Sequence, residues 1–135
     1  MTQNEVVEKL KAYFDKRGNV PLVLLYGSFA KGKANENSDI DVAVHIDESD
    51  AEKELDLLLQ IRADLELMFC REIDVLNLRT AEGLILSEAV VHSIKVKKDH
   101  NLFVKYNLKV IYFNEDVLPM IRRIQNARLE RFLNG

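Results

Sequence analysis

The chain has 135 residues, 47% of them hydrophobic and 30% charged, which suffices for one domain with its own core (residues 1–135) and not for two. A net charge of −3 gives no basic footprint for polymeric nucleic acid. A lone cysteine excludes an intramolecular disulfide and a zinc cluster, and with no secretory signal and no apolar run of ~18 residues the expected location is the cytoplasm, away from membranes.

Thr2 followed by Glu5 has capping-box spacing, and Val6, Leu10, Tyr13 and Phe14 recur at helical intervals, so a first helix is expected to end near Arg17 and Gly18. Residues 20–26 form an apolar run with Pro21 at its start, where a missing ladder N–H is tolerated, and read as a buried strand. Gly27 and Ser28 leave that strand in a turn, residues 29–33 fit a short helical turn, and residues 34–38 are polar loop. Residues 39–46 alternate as a second strand.

A long helix follows, capped from within residues 47–50, with Leu55, Leu58, Leu59, Leu65, Met68 and Phe69 at three- and four-residue spacings as its expected core stripe. Cys70 ends this segment and reads as a buried structural thiol. Residues 72–76 return to alternation as a third strand, and a helical crossover between two strands favours parallel pairing. Residues 80–92 read as helix, residues 94–97 as a brief edge strand, and the rest as mostly helical, with Pro119 marking a kink or a fresh start.

The chemistry concentrates in residues 26–44, YGSFAKGKANENSDIDVAV. Strand alternation sends Asp39 and Asp41 to one face while Ile40 and Val42 turn to the other. Two carboxylates in one small volume repel unless a proton or a hard divalent cation lies between them, so the pair points to a metal site. Gly27 and Ser28 supply a turn whose N–H groups can face phosphate oxygens, and metal with phosphate points to a nucleotide. Asp74 on the neighbouring strand completes three carboxylates able to hold two Mg²⁺ ions and is the member placed to orient or deprotonate a nucleophile. Lys31 and Lys33 offer point charges to a departing pyrophosphate. Ser38 braces the loop or touches the ligand.

This set, Gly27-Ser28, ten residues, Asp39-x-Asp41 and a later Asp74, resembles the DNA polymerase beta-like nucleotidyltransferase superfamily. Within it the chain is similar to the minimal nucleotidyltransferases that act as antitoxins beside HEPN-domain toxins, on the form G-S-F-A-K-G with S-D-I-D, the short length and residues 112–119, YFNEDVLP. Lys31 departs from the commoner Arg and keeps the charge.

The resemblance implies an α/β (mixed α+β) nucleotidyltransferase fold, a short mixed β-sheet flanked by helices with a helical C-terminus. It implies Asp39, Asp41 and Asp74 as catalytic metal ligands, and Gly27, Ser28, Lys31 and Ser38 toward the nucleotide. The implied reaction is transfer of AMP from Mg-ATP to a tyrosine of a cognate HEPN toxin, with which the chain would form a hetero-oligomer. Two other readings stand beside it: neutralisation by binding alone, and nucleotidylation of a small molecule such as an aminoglycoside.

Overall fold

The computed structural model describes residues 1–134. Four strands form one sheet in the order β3-β2-β1-β4: β1 Leu22–Tyr26, β2 Ile40–His45, β3 Ile73–Asn77 and β4 Ile94–Lys97. Strand β1 is antiparallel to both β2 and β4, while β2 and β3 run parallel. The parallel pair follows from the crossover helix α3, Ala51–Phe69, as its place between two strands predicts.

Both faces of the sheet are covered, so β1 is buried at every residue. Val23, Leu25, Ile40, Val42 and Val44 meet α1 (Gln3–Asp15) and α3 on one side. Leu22, Leu24, Tyr26 and Ala43 meet α4 (Gly83–Val91) and α5 (His100–Tyr112) on the other. The N-termini of α1, α3 and α5 are capped by the side chains of Thr2, Asp50 and Asp99. Thr2 Oγ1 accepts from Glu5 N at 3.2 Å, and Asp50 Oδ1 from Glu52 N at 2.9 Å. A four-residue turn, α2 (Gly27–Ala30), follows β1, and a π-helical segment, Phe113–Val117, joins α5 to a last helix, α6 (Leu118–Asn134).

Two expectations are corrected. Of the expected stripe, Leu58, Leu65 and Phe69 pack on the core, whereas Leu55 and Leu59 are each 55% exposed and Met68 37%, because α3 turns Glu54, Ile61, Leu65 and Phe69 inward. Cys70 is exposed, since it is the residue that ends α3 in the left-handed conformation (φ 51°), which swings its side chain off the buried face.

Glu54 is buried on α3 yet ionised in character. Arg79 Nε and Nη2 donate to its two oxygens at 2.6 and 2.7 Å, and Asn77 Nδ2 donates at 2.9 Å, which holds the carboxyl below its usual range despite burial. Removing the cation strands the anion, whereas neutralising Glu54 leaves a half-exposed arginine in water. Arg79→Met is therefore expected to lower the urea midpoint at pH 7 more than Glu54→Gln. A carboxyl with a lowered folded-state pKa stabilises above its unfolded value of 4.5 and loses that contribution as pH falls further, so the gap between the variants should close in acid.

Candidate active site

The carboxylates converge at one end of the sheet because register and parity place them there. Asp41 is paired in register with Tyr26 of β1 on one side and Asp74 of β3 on the other. Asp39, two residues before Asp41, precedes β2 and shares the face. Asp39 and Asp74 are exposed and Asp41 is half-buried. The arrangement is an open shelf and not an enclosed pocket.

Burial, followed by the charges of Asp74, Asp39 and Glu88, pushes Asp41 up to about 6 from a usual 3.8. Burial, followed by the charges of Asp74, Asp41 and Glu88, also raises the Tyr26 phenol, which stays protonated at neutral pH. Among the described residues no three His, Cys, Asp or Glu side chains are already drawn into a metal-ligand set. The donor chemistry nevertheless fits a hard cation: three carboxylates share one face, and Asp41 is held toward its neutral form by neighbours that a cation would offset.

Metal and proton then compete for Asp41. Divalent cation affinity is expected to fall as pH drops below about 6, because the pKa is raised and the protonated form prevails there. Titration calorimetry with Mg²⁺ at pH 5.5 and 7.5 checks this, and equal affinities would exclude Asp41 as a ligand.

The turn between β1 and β2 is built around Gly27. Its φ is +72°, and a Cβ there would overlap the Asp41 carboxyl, lying 3.0 Å from Cγ. Only glycine lets the backbone lie against that carboxylate. Ser28 follows half-buried in the first turn of α2, and its carbonyl accepts from Lys33 N at 2.9 Å. Gln3 Nε2 donates to the carbonyls of Phe29 and Ala30 at 2.8 and 3.2 Å, tying α1 to the far end of this turn.

Ser38 lies in the loop, where its hydroxyl accepts from Asn35 N at 2.8 Å, and Arg71 Nη1 donates to the carbonyls of Asn35 and Ser38. Ser38 thus braces the segment that delivers Asp39. Lys31 is at the site but paired, its Nζ 2.7 Å from Glu88 on α4. Lys33 is exposed.

Tyr26, Glu88, Gln3 and Arg71 escape a reading of motif spacing. Tyr26 stands directly before Gly27 and its parity with Asp41 was recoverable from the strand. The other three reach the site only through tertiary packing.

The family model described as "Polymerase beta, Nucleotidyltransferase" matches residues 8–102. The protein named "Putative protein adenylyltransferase" of Methanocaldococcus jannaschii is 34% identical over 94 residues, spanning 67% of this chain and 97% of that protein. Among solved structures, a toxin–antitoxin crystal structure with AMP-PNP aligns with a TM-score of 0.67 at 21% identity, over 96% of this chain and 99% of that one. A tri-AMPylated Shewanella oneidensis HEPN toxin in complex with its MNT antitoxin aligns with a TM-score of 0.61 at 19% identity, over 94% and 95%. The fold is therefore shared with these structures, the mixed sheet and helical C-terminus included. With the family model covering most of the chain and a relative 34% identical matched nearly end to end, the chain belongs to the polymerase beta nucleotidyltransferase family.

Proposed function

We propose that the protein, acting through residues 1–135 as one domain, transfers AMP from Mg-ATP to a tyrosine of a HEPN-domain toxin in the cytoplasm and thereby silences it. The observation that carries the reading is the row Tyr26, Asp41, Asp74 with Asp39 beside it, under a glycine turn that touches Asp41. The adenylyltransferase relative is covered nearly end to end, and the S. oneidensis antitoxin of the same fold is bound to an AMPylated toxin. Among the described residues no helix is long and apolar enough to cross a membrane.

Asp39, Asp41 and Asp74 would hold Mg²⁺, three carboxylates being enough to serve two ions. The chemistry bound Mg²⁺ supplies is neutralisation of the triphosphate and acidification of the attacking hydroxyl. Gly27 and Ser28 grip the triphosphate through backbone N–H groups, with Ser38 bracing the loop and Lys31 supplying positive charge at the turn's end. The tyrosine oxygen forms a bond to the α-phosphorus as the bond to the bridging oxygen breaks. Pyrophosphate leaves, and the hydroxyl proton passes to Asp74.

Incubating the protein with Mg-ATP and the protein encoded beside it should raise that neighbour's intact mass by whole AMP units. An unchanged neighbour mass, with the protein folded and ATP bound, would sink the reading. Neutralisation without any mass gain would instead favour binding alone, and turnover of an aminoglycoside by the purified chain would favour a small-molecule acceptor.

A further inference from the structure

An ion pair stands at the carboxylate end of the sheet. Lys31 Nζ is 2.7 Å from Glu88 Oε1, with the two side chains 36% and 43% exposed. Pairs this exposed contribute little to stability. Glu88 is also unfavourable where it stands, because its charge reaches both Asp41 and Tyr26 and opposes ionisation of a carboxylate already crowded by Asp39 and Asp74. Folding therefore does not account for an acid at this position.

Both partners are placed by ordered elements. Glu88 projects from α4, whose Leu86, Ala89 and Val90 are buried with Leu22 and Leu24 of β1. Lys31 follows α2, and its N–H donates at 3.1 Å to the carbonyl of Gly27, the glycine whose backbone lies against Asp41. Lys31 is thus tied through its backbone to the Gly27-Ser28 turn and through its ammonium to a helix that packs beside the carboxylates.

A lysine gains more from such a tether than an arginine would. Its ammonium is a point charge on a flexible four-carbon stem, whereas a guanidinium is a rigid fork that loses less freedom per hydrogen bond formed. An ammonium has three N–H donors, so the one directed at Glu88 leaves two for an incoming anion. The stem is ordered before the ligand arrives, and less rotamer freedom remains to be lost when it binds.

We propose that Glu88 is a positioning residue that holds the Lys31 ammonium at the end of the Gly27-Ser28 turn for the phosphates of the nucleotide. The role rests on the nucleotide reading of that turn and is independent of the acceptor.

Titration of AMP-PNP, with Mg²⁺ saturating, into the wild type, Glu88→Gln, Lys31→Met and the double variant tests it. Glu88→Gln should weaken binding about tenfold, a coupling typical of residues in direct contact, and leave Tm unchanged. In the Lys31→Met background the same substitution should cost less than about twofold, since no ammonium is left to position. Lys31→Arg should also shrink the cost of Glu88→Gln, because the guanidinium orients itself. An equal loss with and without the lysine would show that Glu88 acts on the metal or the nucleotide directly, and would overturn the tether. Unchanged binding by Glu88→Gln would overturn it as well, and tighter binding would make Glu88 a rival of phosphate for Lys31. No binding by the wild-type protein would sink the nucleotide reading of the turn and the role of Glu88 with it.

Discussion

Asp41→Asn is expected to abolish nucleotidyl transfer while making the domain more stable. Removing a group that merely supports a metal ligand costs 10- to 100-fold, so losing a ligand should cost at least about a hundredfold in kcat/KM. Stability moves the other way because burial, followed by the charges of Asp74, Asp39 and Glu88, raises the folded-state pKa of Asp41 to about 6 from 3.8. A carboxyl raised in the folded state favours folding below its unfolded value, and that advantage is lost as pH climbs through 3.8 toward 6. At pH 7 the ionised group is a burden. Discounted for the solvent that still reaches it, relief of that burden is worth about 1 kcal/mol, or a rise of roughly 2–4 °C in Tm. At pH 4 the two proteins should melt together. Calorimetric scans without metal at both pH values check this, and a destabilised variant at pH 7 would mean that Asp41 contributes structure instead of charge strain. The trade of stability for activity is what a charged catalytic cluster predicts.

The placement of this cluster was legible in the sequence because it depends on short-range regularities. Parity alone puts Asp39 and Asp41 on one face and Ile40 and Val42 on the other, and a helix between two strands makes them parallel, which brings Asp74 into register with Asp41. On helix α3 the periodicity picks out Leu58, Leu65 and Phe69 but also the exposed Leu55, Leu59 and Met68. A run of leucines fits two faces equally, and the face that docks is fixed by Ile61, Leu65 and Phe69 meeting the sheet, with Glu54 drawn in by Arg79 and Asn77. The Lys31–Glu88 pair joins residues 57 apart, and no local pattern announces it. Such contacts come from how α4 lies on the sheet, a property of the whole packing. The turn's supports, Gln3 from α1 and Arg71 after α3, are of the same kind.

Gly27→Ala is the second large effect expected, and its control lies five residues away. Gly27 and Gly32 have nearly the same left-handed backbone, φ +72° and +71°, so an alanine at either incurs a similar conformational penalty of roughly 1–2 kcal/mol. Their surroundings differ. A Cβ at Gly32 meets nothing within 4 Å, whereas one at Gly27 overlaps the Asp41 carboxylate and lies 3.0 Å from its Cγ. Either the turn or Asp41 must move. Since a displacement near 1 Å in a positioned catalytic group can cost about a hundredfold, Gly27→Ala should lose about that much in kcat/KM, and Gly32→Ala should lose far less. The two should nevertheless show comparable losses in urea stability, because strain is common to both and Asp41 can yield toward solvent. If Gly32→Ala were as inactive as Gly27→Ala, backbone strain in the turn would govern activity. If only Gly27→Ala fails, the close approach of this backbone to Asp41 is what the glycine preserves.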